Sequence, residues 1–172
     1  MFLSRQCVCP IGIATARARL TGLADSGWLA TACAAAYQDS LDQLLGAWPP
    51  ERTPARSSLT KSHFLDPIHR PSSTTMGMRW EATGIASQPF PALDANITLT
   101  PDGSQHTQIT LTGVYRSPLE PPGAGLDRAL LHQAATAAIG SLLTRLTNAL
   151  EDAAAPGKPA TPQSPQTGPW TA

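Results

Sequence analysis

Several features are scarce in this sequence, and each scarcity excludes a class of protein. Charged residues make up only 14% of the 172 residues, and 12 acidic side chains balance 12 basic ones. There is therefore no overall charge to attract nucleic acid or an anionic membrane surface. No apolar run approaches the ~20 residues that a membrane-spanning helix needs. GxSxG, HExxH, the phosphate-binding loop and the dinucleotide fingerprint are all missing, so no motif identifies a reaction.

Cysteine is also scarce: the chain has three, whereas a disulfide framework needs pairs. Cys7 and Cys9 stand too close together for the CxxC spacing of redox and zinc sites. The histidines likewise show no metal-ligand spacing: His63, His69, His106 and His132. We therefore expect reduced thiols, no metal and no cofactor. Gln6 and Pro10 break the first segment before it reaches the apolar length of a signal peptide, so we expect a cytoplasmic protein.

The strongest periodic pattern lies near the carboxyl end, in GAGLDRALLHQAATAAIGSLLTRLTNALED. Its apolar residues recur at spacings of three and four: Leu131, Ala135, Ala138, Leu142, Leu146 and Ala149. This spacing predicts an amphipathic helix of roughly seven turns, in which Gly140 indicates a close approach or a slight bend. After Asp152, five prolines and no apolar periodicity predict a disordered tail over residues 153–172. Residues 1–152 are then predicted to form one domain.

The middle of the chain alternates apolar and polar residues, a pattern typical of antiparallel strands with one buried face. The apolar positions of three successive segments are Met76, Met78, Trp80 and Ala82; Leu93, Ala95, Ile97 and Leu99; and Ile109, Leu111, Gly113 and Tyr115. Asp102 and Gly103 supply a hairpin turn between the last two segments. Residues 57–70 predict a further strand that is broken near Pro67.

The amino-terminal third is predicted to hold one strand and one helix. A strand is favoured by small apolar residues that alternate with polar ones, namely Ala14, Ala16, Ala18 and Leu20. Asp25 and Ser26 are expected to cap a helix through WLATACAAAYQDSLDQLLGAW, which Pro49 and Pro50 end. The predicted fold class is α+β: a curved antiparallel sheet of about five strands gripping a long carboxyl-terminal helix, with one further helix after the first strand.

Four segments carry a resemblance to a known superfamily: RWEATG, FPALDANITLTP, LTGVYRSPL and GLDRALLHQAATAAI. They resemble a short actinobacterial branch of the START-like superfamily of polyketide cyclases and lipid-transport proteins. The resemblance covers residues 57–150 and implies the helix-grip fold of the major birch pollen allergen. It also implies a hydrophobic ligand between sheet and helix. The full fold has about seven strands and a pair of short helices, so we expect an abbreviated version here.

The candidate walls of that cavity are the apolar side chains that face each other across sheet and helix. They are Trp80, Ile97, Leu111 and Tyr115 on the sheet and Leu131, Ala135, Ile139 and Leu142 on the helix. Trp80 is interpreted as core or as a ring on which a ligand stacks, and the Tyr115 hydroxyl as a polar group that would orient a ligand. Glu81 is expected on the opposite face as a solvated cross-strand partner of Arg79 or Arg116.

Three functions remain open at this point. The one we favour is binding or carrying of a small apolar molecule, lipid or polyketide-like, without chemistry. A protein-interaction module would have a filled core and would use a sheet face or an unpaired sheet edge, which also allows a homodimer. An enzyme of the cyclase or dehydratase kind would need an acid–base group in the cavity, for which the candidates are Tyr115, His63 and His132.

Overall fold

The computed structural model describes residues 2–46, 59–83, 92–116 and 128–152. The chain passes in order through β1 (Phe2–Cys9), α1 (Ile13–Asp25), α2 (Trp28–Gly46), β2 (Leu59–Phe64), β3 (Ile68–Arg70), β4 (Ser73–Thr83), β5 (Ala92–Asp102), β6 (His106–Arg116) and α3 (Arg128–Glu151). An antiparallel sheet and a long final helix confirm the predicted α+β class. The predicted tail at 153–172 lies outside the described residues.

The sheet has six strands that occupy five positions side by side, in the order β1-β6-β5-β4-β2. The outermost position beside β4 is shared, because β2 pairs with residues 78–83 and β3 pairs with residues 73–75. This is the strand predicted to break near Pro67, since proline has no N–H to continue the ladder. The hairpin between β5 and β6 turns at Gly103, whose φ of 72° suits glycine.

The strand predicted through Ala14 to Leu20 was wrong: these residues belong to helix α1, and the first strand is β1. The buried residues of α1 are Ala16, Leu20 and Leu23, which follow helical rather than alternating spacing. The predicted cap was wrong as well, because Ser26 ends α1 and Gly27, with a φ of 73°, turns the chain into α2. Two helices therefore follow the first strand, where the sequence had predicted one.

One face of the sheet is covered by helices, and the alternation predicted for β4, β5 and β6 is confirmed by their burial. Met76, Ile97 and Leu111 on these strands have no exposed surface. Helix α3 packs against β1, β6 and α2, while α2 also packs along β2. Together α2 and α3 form the second layer of the domain. Among the helices of the described residues, none combines the length and the hydropathy that a membrane crossing needs.

Helix α3 runs along β6, and two contacts define its position. Near its amino end, the ring of His132 lies 6.1 Å from the ring of Tyr115, between centroids. Near its carboxyl end, the hydroxyl of Thr147 lies 2.9 Å from the thiol of Cys7, on the strand next to β6. The amino-terminal half of α3 therefore faces the end of β6 where Tyr115 lies.

Gly140, in the middle of α3, offers a stability test. The predicted close approach is absent, because no described atom lies within 4 Å of a Cβ added there. We expect Gly140→Ala to raise the free energy of unfolding by about 0.5–1 kcal/mol, since alanine loses less backbone entropy in a helix. Gly113→Ala is the matched control: its Cβ would lie 2.9 Å from the backbone oxygen of Asp94, so it should destabilise. Urea unfolding of both variants measures the difference, and a loss of stability in Gly140→Ala would contradict it.

A polar contact joins α2 to α3 and gives stability a small pH dependence. The hydroxyl of Ser141 donates to Asp39 Oδ2 at 2.6 Å, and Arg145 Nη2 donates to the same oxygen at 3.0 Å. The hydrogen bond from Ser141 lowers the pKa of the Asp39 carboxyl most, and the one from Arg145 lowers it further. The contribution to stability is therefore complete above the ordinary aspartate pKa of ~3.9 and is lost as pH falls through the lowered pKa.

We expect Asp39→Asn to cost no more than about 1 kcal/mol at pH ~7, because both partners of the ion pair are more than a third exposed. The difference from the wild type should shrink toward zero when unfolding is measured at decreasing pH below ~4. Asp25→Asn, at the exposed end of α1, serves as the control for a general charge effect. A difference that grows in acid would contradict this interpretation of the Asp39 contact.

Candidate functional site

The candidate site is built on a row of side chains that crosses three strands. In the register of the sheet, Trp80 on β4 pairs with Leu93 on β5, and Leu93 pairs with Tyr115 on β6. All three lie on the face covered by the helices and are 2–7% exposed. Because neighbouring strands are ~4.8 Å apart, the two aromatic residues stand roughly 10 Å apart at the same end of the sheet.

Helix α2 closes this row on the side of β4. The ring of Tyr37 meets the ring of Trp80 edge to face, with centroids 5.7 Å apart and planes at 63°. One turn earlier on the helix lies Cys33, which has no exposed surface. Ser62, the cross-strand partner of Trp80, makes a side-chain hydrogen bond with Cys33. Tyr37 and Cys33 thus place α2 directly over this end of the inner sheet face.

The chemistry of Cys33 follows from its burial. Desolvation raises the pKa of the thiol to about 12, and the hydrogen bond with Ser62 opposes this shift only in part. A thiol with such a pKa stays protonated near neutral pH, whereas a nucleophilic or metal-binding cysteine must be a thiolate. Cys33 is therefore a small apolar group of the site wall.

Helix α3 covers the row on the side of β6. His132 lies against Tyr115, with the two ring planes 36° apart. Ala135 follows one turn later and is half-buried, and Ile139 one further turn along is fully buried. Leu131 belongs to α3, but its side chain lies outside the described part of the chain. Residues 134–138 of α3 are all alanine or threonine, whereas the other half of the helix contains Leu142, Leu143, Leu146 and Leu150.

The predicted wall residues therefore fall into two groups. Trp80 and Tyr115 lie at the same end of the covered sheet face, and Ala135 lies one helical turn from His132, whose ring contacts Tyr115. Ile97 and Leu111 pair directly with each other and are fully buried in the centre of the sheet, and Ile139 and Leu142 on α3 are fully buried as well. The first group defines the candidate site, and the second belongs to the core that supports it.

Two buried polar atoms at this end of the fold lack a hydrogen-bond partner among the described residues. One is Nε1 of Trp80, and the other is Nδ1 of His132. More than 90% of buried polar groups in proteins have a partner, so each exception calls for an explanation. Both residues adjoin the row across the strands, Trp80 as a member and His132 through Tyr115.

The opposite face of the sheet holds the charged residues. Arg79 Nε lies 3.4 Å from Glu81 Oε2, and Arg79 Nη1 lies 3.9 Å from Asp94 Oδ1. Arg79 is therefore one of the two predicted partners of Glu81, but the predicted cross-strand geometry was wrong, because both residues lie on β4. His63 is exposed, on the alternate position to Ser62, so it lies apart from Tyr115 and His132. Among the described residues no group of three or more histidines, cysteines or carboxylates is placed to hold a metal ion.

Three members of the site were missed as site residues from the sequence: Leu93, Tyr37 and Cys33. Leu93 follows from the register, because the alternation of β4, β5 and β6 places it between Trp80 and Tyr115. Tyr37 was recognisable only as part of the apolar face of α2. Nothing in the spacing of that helix indicates which strand it covers, so its contact with Trp80 required the tertiary structure.

The chain matches no family model, and no curated protein matches it. Among solved structures it is similar to a conserved protein from Geobacillus kaustophilus, at 12% identity over 87% of this chain and 95% of that one, with a TM-score of 0.49. It is also similar to the Zhui aromatase/cyclase from a Streptomyces species, at 9% identity over 88% and 93%, with a TM-score of 0.42. A third similar structure is Ara h 8.0201, at 9% identity over 87% of this chain and 97% of that one, with a TM-score of 0.37. Likenesses at these levels carry no argument about function.

Proposed function

We propose that residues 1–152 form a cytoplasmic START-like domain that binds or carries a small, mostly apolar molecule and performs no chemistry of its own. The observation that carries the proposal is a pair of ring contacts, Trp80 with Tyr37 and Tyr115 with His132, at the same end of the covered sheet face. The order of strands and helices supports the superfamily, since a helix pair follows the first strand and a long helix lies on the sheet.

The composition of this end of the fold suits such a ligand. Binding sites for small molecules are lined mainly by apolar and aromatic side chains, with a few polar groups that set orientation. Trp80 and Tyr115 supply aromatic surface, and each carries one polar atom at its edge. Ala135 on α3 leaves more room beside them than the leucines further along that helix. We infer a ligand of one or two rings, or a short chain.

Carrying is favoured over catalysis by the positions of the titratable groups. Cys33 is held as a neutral thiol, and His63, Glu81 and Asp94 lie on the other face of the sheet. Tyr115 and His132 are the two catalytic candidates that the fold does bring together. A cyclase or dehydratase would have to work with this pair, and no carboxylate of the described core accompanies it.

A second candidate, protein–protein interaction, is favoured by one observation on the outer face. Phe2 on the edge strand β1 and Val114 on β6 are cross-strand partners, and they are 67% and 47% exposed. An exposed apolar pair beside an edge strand is a usual feature of interaction surfaces. A second copy of the chain or a partner protein bound at this edge would cover Phe2 and Val114.

Two measurements on the purified chain test the proposal. Native mass spectrometry shows whether a small molecule is retained and whether the protein is a monomer. A titration with N-phenyl-1-naphthylamine, whose fluorescence rises in an apolar site, should saturate at one dye per chain. If no dye binds while the protein appears as a dimer or with a partner, the carrier proposal is wrong and the interaction surface at Phe2 and Val114 replaces it.

A further inference from the structure

The indole of Trp80 carries a buried polar atom that lacks a hydrogen-bond partner in the described part of the chain. The residue is 3% exposed, and its Nε1 has no hydrogen-bond partner among the described residues. An indole N–H can only donate, so it requires an acceptor oxygen or nitrogen. A donor that loses water on burial and gains no partner weakens the fold by its whole desolvation free energy. A ligand that supplies the acceptor would offset this loss of free energy in the bound protein.

The buried serine and threonine residues of the described chain do have hydrogen-bond partners. The Ser40 hydroxyl donates to the backbone oxygen of Tyr37 at 2.7 Å, and the Thr107 hydroxyl donates to that of Ile11 at 2.8 Å. Thr74 lies 3.0 Å from Nδ1 of His69. These three are the buried polar residues of the described chain, and none of them is charged. These three hydroxyls are satisfied from within the fold, whereas Nε1 of Trp80 has no partner among the described residues.

We infer that Trp80 is the specificity-determining residue of the site: its Nε1 donates a hydrogen bond to an uncharged oxygen acceptor on the ligand. The inference rests on the proposed function and names the chemical class of the ligand, an apolar molecule with a carbonyl, ester or ether oxygen. A carboxylate is disfavoured, because the described core contains no buried lysine or arginine to pair with it. Nδ1 of His132 is a second buried polar atom without a partner among the described residues. It donates or accepts depending on the tautomer of the ring, so it does not select one class of ligand.

Three probes of nearly equal shape test this inference by displacement of N-phenyl-1-naphthylamine. They are 2-acetylnaphthalene, which has a neutral acceptor; 2-isopropenylnaphthalene, in which a methylene group replaces the oxygen; and 2-naphthoate, which is charged. A hydrogen bond predicts that the acetyl probe binds ~3–10-fold more tightly than the isopropenyl probe. The naphthoate should bind at least ~10-fold more weakly than the acetyl probe.

The variant Trp80→Phe removes the N–H and keeps an aromatic ring. We expect the ratio of the acetyl to the isopropenyl affinity to fall to about one, since any change of space affects both probes alike. Trp28→Phe, at the half-buried first residue of α2, is the control and should keep the wild-type ratio. A ratio that survives in Trp80→Phe would assign the donor to another group and overturn the inference.

A measurement on the wild type covers the case in which Trp80→Phe does not fold. The indole ¹⁵N–¹H resonance of Trp80, assigned with single phenylalanine variants of Trp28, Trp48 and Trp170, should move downfield with the acetyl probe and not with the isopropenyl probe. Equal binding and equal shifts would overturn the inference and leave the proposed function standing. If neither probe nor dye binds, the proposed function itself is wrong.

Discussion

Trp80→Ala should lower the free energy of unfolding by about 3–5 kcal/mol, the usual loss when a large buried aromatic side chain is deleted. Trp80 is 3% exposed, and its ring lies against Tyr37 of α2. The substitution removes this edge-to-face contact and leaves a cavity between sheet and helix. Because the chain is small, a loss of this size is a large fraction of its total stability.

Urea unfolding followed by circular dichroism measures the change. Val114→Ala is a suitable control, since this residue points away from the helices on β6 and is 47% exposed. We expect that variant to stay within about 0.5 kcal/mol of the wild type. An unchanged unfolding midpoint in Trp80→Ala would place the tryptophan in solvent, and the register of β4 would then be one residue out.

Ala135→Phe should abolish dye binding while the protein stays folded. Ala135 is half-buried on α3, one turn from the histidine that meets Tyr115. A phenyl ring at this position would occupy the space that we propose for the ligand. We expect the apparent dissociation constant of N-phenyl-1-naphthylamine to rise at least ~100-fold, because loss of the site removes the whole apolar contact.

Thr144→Phe on the same helix is the matched control, since Thr144 is exposed and lies more than two turns further along. It should bind the dye as the wild type does. Thermal melts of both variants establish that the fold is kept. Unchanged binding in Ala135→Phe would move the ligand site away from the amino-terminal half of α3.

The buried face of each long strand could be derived from the sequence because a strand has a period of two residues. In β4, β5 and β6 every second residue is apolar, and a shift of one residue would turn the whole apolar set to solvent. The same alternation is enough to place Trp80 and Tyr115 on one face of the sheet. The break at Pro67 was equally local, since it depends on the missing N–H of one residue.

The first helix shows where local reasoning failed. Residues 13–25 alternate small apolar and polar side chains, and this pattern suggested a strand. Alanine favours a helix, and the helix buries Ala16, Leu20 and Leu23 on one face. When a short segment fits both the helical and the strand period, the surface that it can cover decides which structure it adopts. Here that surface is formed by the ends of β5 and β6, which lie about 80 residues further along the chain.

The sequence by itself determined the elements that have a period: the three long strands, their buried faces and the final helix. Only the tertiary structure decided which helix covers which strand, because one apolar helix face packs equally well on many apolar surfaces. The contact of Tyr37 with Trp80 and that of His132 with Tyr115 join residues 43 and 17 positions apart. No local pattern connects such pairs, so the candidate site exists as a site only in the folded chain.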